Sequence, residues 1–250
     1  MSRHYNIFKE RMDTFYANCE FAEYIKQNHK LLSSEKARGF RNASMKRFPL
    51  LANVKNTRER SNVANHLMRT VYTAFIKELH EEYCTYIKAI LKDAALSHKI
   101  APQRILNKLN LSFKPEEVLE IYNYEQLVEL ITNRVFRAID EEEAQLTNTG
   151  RQNGKFLIES LQKRIGISIN NTIINNAVPY LALRHVLVHD DGKPDKDFQT
   201  RYPIFKLPSN RTRILLTHKI VSDAYSNVDI LIRAIDDEAE KSGLIINIKN

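Results

Sequence analysis

Residues 62–96 read NVANHLMRTVYTAFIKELHEEYCTYIKAILKDAAL, a stretch with neither Gly nor Pro. Val63, Leu67, Val71, Phe75, Leu79, Tyr83, Ile87 and Leu91 recur every four positions, the spacing of an apolar face on a helix. At 1.5 Å per residue such a helix runs roughly 50 Å, long enough to span a whole domain. The rest of the chain is therefore expected to pack around it.

Upstream, Phe8, Met12, Phe15, Tyr16, Cys19 and Phe21-Ala22 predict an amphipathic helix over 5–28 with a break near Asn18. Downstream, Pro102 and Pro115 punctuate the chain, and helices are predicted at 103–109, 115–122 and 124–140, the last ending in Asp140-Glu141-Glu142-Glu143. A polar loop over 144–154 precedes a helix at 155–165. Gly166 and the short Ile167-Ser168-Ile169 then lead to a helix near 171–190, with the run Asn170-Asn171-Thr172 as its cap. Pro194, Pro203 and Pro208 mark an irregular stretch. Thr217 is expected to cap a final helix in which Val221, Ala224, Val228, Leu231 and Ile235 fall at alternating spacings of three and four, ended by Gly243. That pattern suits a bundle seam or a dimer contact. There is no internal repeat, and one all-α domain over 1–250 with a long central helix is the expected fold.

Composition supports this and excludes much else. The chain has 250 residues, 43% hydrophobic and 27% charged, with six Gly, seven Pro and no Trp. Few glycines argue against a turn-rich sandwich or barrel. Neither GxGxxG nor GxxxxGK[ST] occurs, so no glycine loop cradles a nucleotide. The start MSRHYNIFKERMDTFY lacks an apolar signal core and no apolar run approaches the ~18 residues of a membrane span, so the expectation is a soluble, cytoplasmic protein without a membrane partner. Cys19 and Cys84 have no CxxC spacing and are expected to be small buried hydrophobes.

Charge is unevenly spread. Residues 30–69 hold ten basic side chains against Glu35 and Glu59, which accounts for the entire net charge of +8. Concentrated positive charge points to a polyanion as partner, and Lys36, Arg38, Arg41, Lys46 and Arg47 are the candidate RNA contacts. The competing reading is a well-solvated surface loop, tethered through Phe40 and Phe48-Pro49-Leu50-Leu51. A membrane-surface role is weaker, because the basic residues do not line one face of an amphipathic helix.

The chemistry is concentrated in Tyr180-Leu-Ala-Leu-Arg184-His185-Val-Leu-Val-His189-Asp190-Asp191-Gly192-Lys-Pro194. Leu181, Leu183, Val186, Leu187 and Val188 would bury this helix, so an arginine and two histidines there need partners or a use. Three readings compete. In the first, the chain is a metal-independent ribonuclease. RNA brings its own nucleophile, the 2′-hydroxyl, so the protein need supply only a group that moves protons near neutrality and a permanent cation for the phosphate. His189 and Arg184 are that pair. Five positions separate them, about 140° around a helix, so they flank a groove, with His189 in a last turn whose carbonyls favour a cation.

At Arg184-His185-Val186-Leu187-Val188-His189 the chain resembles the HEPN family (higher eukaryotes and prokaryotes nucleotide-binding domains), whose ribonuclease members carry R-x4-H near the end of a bundle helix. His185 stands in the family's polar second position, and the Asp-Asp-Gly turn with Asp190 and the last helix beyond it are also similar. The resemblance covers about 60–242. It implies an up-and-down helical bundle that dimerises to bring two motifs into one cleft, cleavage by 2′-hydroxyl attack, and a toxin, abortive-infection or other antiviral-defence role. It also implies Arg184 on the phosphate, His189 moving the proton, no metal or other cofactor, and an antitoxin or sensor protein as a candidate restraining partner. Some HEPN toxins carry a tyrosine two residues after the His, where this chain has Asp191. Inactive family members serve as binding modules, so a non-catalytic RNA-binding or effector-recruiting protein is the alternative function.

In the second reading, His185 and His189, which share a helix face, bind a metal with Asp190 or Asp191. The string His189-Asp190-Asp191-Gly192-Lys193 is similar to the HD-domain metal phosphohydrolases, which need a further upstream His. None occurs between His98 and His185, leaving His218 or a distant carboxylate to complete such a site. In the third, Arg184 pairs with Glu159 or another acid and the histidines satisfy carbonyls. Glu78, Glu81 and Glu82 read as a solvated face of the long helix, and His66 and His80 as surface or packing residues.

Overall fold

The computed structural model describes residues 1–28, 57–106, 109, 111–147 and 155–245, and every regular element among them is helical. In chain order these are α1 (Arg3–Asn28), α2 (Thr57–Leu96), α3 (Pro102–Leu106), α4 (Pro115–Leu119), α5 (Tyr124–Thr147), α6 (Lys155–Ile165), α7 (Asn171–His189), α8 (Lys196–Arg201), a 3-10 turn at Pro203–Phe205, and α9 (His218–Lys241). The chain is a helical bundle built on α2, against which α1, α5, α6, α7 and α9 all pack.

Helix directions follow from side-chain pairs. His4 meets Asp93 and Tyr72 meets Glu23, so α1 runs antiparallel to α2. Lys92 meets Glu129 and Lys88 lies over the Phe136 ring, which makes α5 antiparallel too. Arg184 meets Glu81 and Asp191 meets Arg69, so α7 also descends against α2. By contrast, Tyr86 bonds Asp236 and Tyr72 faces His218, which sets α9 parallel to α2 and antiparallel to α1.

The buried face of α2 differs from the strict four-residue stripe. Val63 and Leu67 are 43% and 39% exposed, whereas Tyr72, Phe75, Ile76, Leu79, Tyr83, Tyr86, Ile87, Ile90, Leu91 and Ala94 are buried. A repeat of four gains about 40° per step on a helix of 100° per residue, so it cannot track one neighbour along so long a rod. Mixed spacings of three and four do, and the tyrosines at 72 and 86 belong to the core because their hydroxyls reach Glu23 and Asp236.

Other elements depart at their ends. Asn18 is exposed, so nothing breaks α1. α5 continues to Thr147, through the acidic run and into the expected loop, because Glu, Ala, Gln and Leu are strong helix formers. α3 and α4 are single turns, each opened by proline at its first position. The α9 seam of Val221, Ala224, Val228, Leu231 and Ile235 is wholly inaccessible and faces the rest of the bundle, so it is an internal seam and not a contact between copies. Thr217 caps α9 by accepting from the Ile220 N–H at 3.3 Å, and Gly243 follows it with φ +63°. Cys19 is buried, which pushes its thiol up to about 12, and Cys84 is half-buried beside His80.

Two polar clasps hold the bundle. Arg164 of α6, only 2% exposed, donates to the carbonyls of Ile105 at 2.5 Å and Leu106 at 2.8 Å and to Ser160 Oγ at 3.1 Å. Those carbonyls end α3 and would otherwise lack helical donors. Arg104 returns the contact, donating to the Lys163 carbonyl at 3.0 Å. At the other clasp the buried carboxylate of Asp236 accepts from the Ser2 N–H at 2.7 Å, the Ser2 hydroxyl, and the Tyr86 hydroxyl at 2.9 Å, binding the start of α1 to α9 and α2.

Candidate active site

α7 begins at its Asn170 cap, whose side chain accepts from the Thr172 N–H at 2.8 Å, and it ends at His189. Ile174, Ala177, Val178, Leu181, Ala182, Leu183 and Val186 are buried, so the helix is fixed on several sides. Its polar end emerges from this packing: Arg184 is half-buried, and His185, His189 and Asp190 are exposed.

Arg184 and His189 come together despite their 140° separation, because the long arginine side chain folds across the gap. Arg184 Nη1 lies 3.5 Å from His189 Nε2. Arg184 Nη2 lies 3.4 Å from Glu81 Oε1 on the facing turn of α2. The Nε atom is buried and without a hydrogen-bond partner among the described residues, so the two Nη groups, one facing His189 and the other Glu81, are the part of the guanidinium an incoming anion would meet. The result is a row of carboxylate, guanidinium and imidazole. His185 packs on His189 with ring centroids 4.7 Å apart.

The acid paired with Arg184 is thus Glu81, while Glu159 pairs with Lys155 one turn away. Glu82 is likewise engaged, accepting from Arg11 at 2.9 Å, so the acidic face of α2 is only partly a solvated one. Nothing in the helical pattern of α2 separates Glu81 from Glu78, since the distinction lies in which neighbour crosses it. His66 is exposed, and His80 lies 3.7 Å from Cys84 Sγ.

Beyond His189 the chain turns sharply. Asp190 caps α7 through its N–H to the Val186 carbonyl at 3.2 Å, and the Gly192 N–H reaches the same carbonyl at 2.9 Å. Asp191 and Gly192 both have positive φ, +53° and +74°, a conformation that Asp tolerates better than most residues and Gly adopts freely. This aims the Asp191 carboxylate at two arginines: Arg213 in a tight ion pair and Arg69 of α2 at 4.0 Å. Neither arginine stands in a motif that marks it in the sequence, although Arg69 closes the basic run. Lys36, Arg38, Arg41, Lys46 and Arg47 lie outside the described residues.

His185 and His189 share a face, but no third His, Cys, Asp or Glu joins them in a cluster with metal-holding geometry among the described residues. His218, one of the groups that could complete a metal site in that reading, is half-buried against the rings of Tyr16 and Tyr72. No helix among the described residues is long and apolar enough to cross a membrane. Comparison of the chain with protein-family models, curated proteins and solved structures found no match.

The chemistry available at the end of α7 is that of a phosphate and a proton. A guanidinium grips two oxygens of one phosphate through parallel N–H groups and keeps its charge throughout. An adjacent imidazole can take or give a proton at the same centre.

Proposed function

We propose that the protein is a metal-independent endoribonuclease of the HEPN type, acting as a homodimer in a defence or toxin system. The observation that carries this reading is the 3.5 Å approach of Arg184 Nη1 to His189 Nε2 at the exposed end of a buried helix. The substrate 2′-hydroxyl gives up its proton, its oxygen attacks the adjacent phosphorus, and the P–O5′ bond breaks as the departing oxygen takes a proton. The products are a 2′,3′-cyclic phosphate and a 5′-hydroxyl. Arg184 stabilises the charge that develops on the phosphoryl oxygens, and His189 handles a proton. Two-fold pairing of copies would provide a second imidazole, so that base and acid come from different subunits. His185 supports the His189 ring, Asp190 ends the helix beneath it, and Lys36, Arg38, Arg41, Lys46 and Arg47 add affinity for RNA. An antitoxin or sensor protein is the partner class that would restrain such an activity.

The test is incubation of the protein with RNA in EDTA, followed by analysis of the new ends. Cyclic phosphate termini are expected, and they should disappear in His189→Ala while the helical circular dichroism stays unchanged. Arg184→Lys keeps the charge but loses the planar fork, and kcat should fall on the order of 100-fold. Undiminished cleavage by His189→Ala overturns the assignment.

The Glu81–Arg184 ion pair favours a second reading, a non-catalytic helical module that binds RNA or recruits an effector. A carboxylate at 3.4 Å already occupies part of the guanidinium edge. RNA binding without cleavage by the unaltered protein would select this reading.

A further inference from the structure

We infer that Arg69 and Arg213, gathered on the carboxylate of Asp191, form a second phosphate-holding subsite, which grips the RNA backbone further along the seam from the phosphate held at Arg184 and His189. This rests on the reading of the α7 end as an RNA site, and it names groups that the R-x4-H pattern does not contain.

Three observations converge on it. The first is position. Asp191 is two residues beyond His189, and the Ile214 N–H donates to the Gly192 carbonyl at 2.8 Å. Arg213 is therefore pinned, through its neighbour's backbone, to the turn that ends the catalytic helix. Arg69 reaches the same turn from α2, the helix that also supplies Glu81 to Arg184. Arg184 and the pair Arg69 and Arg213 thus lie along one seam between α2 and α7.

The second is charge. One carboxylate compensates one guanidinium, and two guanidiniums converge on Asp191. No other carboxylate among the described residues pairs with either arginine, so one positive charge at this point remains for an anion. Arg69 and Arg213 keep 52% and 41% of their side-chain exposure, and their forks are open to a ligand. Ion pairs this exposed contribute ~1 kcal/mol or less to folding, so stability alone is a weak reason to gather them.

The third is backbone conformation. Asp191 and Gly192 are consecutive left-handed residues, an arrangement that persists where surrounding structure enforces it and that clusters at binding sites. Here it turns the Asp191 carboxylate back toward α2 instead of outward with Asp190. Asp191 orients the two guanidiniums, and the phosphate bridges them from the solvent side. A polymer with a phosphate at every nucleotide can reach both cationic points on one seam, whereas a single free phosphate would use only one of them.

The test uses the full chain and a fluorescent single-stranded RNA. In a His189→Ala background that prevents cleavage, affinity is measured across a salt series for the parent and for Arg69→Gln combined with Arg213→Gln. Two phosphate contacts at about 0.7 each predict that the slope of log K against log salt becomes shallower by up to ~1.4. Lys219→Gln combined with Lys241→Gln removes the same charge from α9 and should leave the slope unchanged. In the cleavage-competent protein, the arginine pair should raise KM at least fivefold with kcat within twofold, as expected of contacts kept equally in ground and transition states. An unchanged slope, or an equal loss in the lysine pair, overturns the subsite while leaving the nuclease reading intact. Lost slope in a protein that binds but never cleaves RNA keeps the subsite and removes the nuclease reading. No RNA binding at all removes both.

Discussion

Glu81 Oε1 stands 3.4 Å from Arg184 Nη2, on the opposite flank of the guanidinium from His189. The carboxylate holds the arginine across the groove, and it also competes with any phosphate for the same N–H groups. Glu81→Gln retains shape and removes the charge. With the carboxylate side chain 60% exposed, folding should be little affected, and RNA should bind about two- to fivefold more tightly, the range of a weak exposed ion pair. Titration of labelled RNA into the His189→Ala form with and without Glu81→Gln measures this, and equal affinities would show that Glu81 does not compete.

Arg164 is a structural counterpart, buried where Arg184 is open. Replacing it with Leu strips donors from the Ile105 and Leu106 carbonyls at the end of α3 and from Ser160. The Leu106 carbonyl keeps the Leu109 N–H at 3.0 Å, but the Ile105 carbonyl loses its donor, and a buried acceptor left so costs ~1–3 kcal/mol, so Arg164→Leu should destabilise the protein by about that much. Urea unfolding should show a lower midpoint, with α3 and α6 the first elements to lose hydrogen-exchange protection. A midpoint unchanged from the parent would mean that water replaces the guanidinium at no cost.

Alkaline pH should loosen the contact of α1 with α9. Burial, and then the hydrogen bond to Asp13, push the Tyr225 phenol up to about 12, although Lys9 pulls in the opposite direction. The folded protein therefore prefers the neutral phenol more than the unfolded chain does, whose tyrosines titrate near ~10. The corresponding stabilisation is complete below pH ~10 and is lost as pH rises toward about 12. Burial raises Tyr72 and Tyr86 in the same direction, reinforced by Glu23 and Asp236. The urea midpoint should hold up to pH ~10 and fall as pH approaches about 12, and Tyr225→Phe should reduce that fall. An identical fall in the variant would assign it to the other tyrosines.

What could be foreseen from the chain follows the reach of each signal. α9 was legible down to its Thr217 cap and its closing Gly243, because cap, seam and terminator are all local. The body of α2 and its end at Leu96 are equally clear, but the helix starts at Thr57, about a turn before the 62 expected, and its buried face leaves out Val63 and Leu67, since counting in fours ignores the slow rotation of the stripe. Arg184 and His189 could be paired because both lie in one short run. Glu81, Arg69 and Arg213 could not, because they meet that run only through the antiparallel packing of α2 and a loop that returns from an irregular stretch. The continuation of α5 beyond 140 shows the reverse case: intrinsic propensity outweighed an acidic C-terminal turn that the helix dipole disfavours.

The single hydrogen bond from the Ile214 N–H to the Gly192 carbonyl gives the protein an interchangeable part. The excursion between them returns to the same point, carrying α8, the 3-10 turn and the rings of Phe198, Tyr202 and Phe205, which join the edge of the core against Tyr180. Because its two ends already meet, the length of this insert is nearly uncoupled from the register of α7 against α9. Doubling it would cost only ~0.6 kcal/mol in closure entropy. What stands beside His189 can therefore be redesigned, or diverge between relatives, while the helices that hold Arg184 stay where they are.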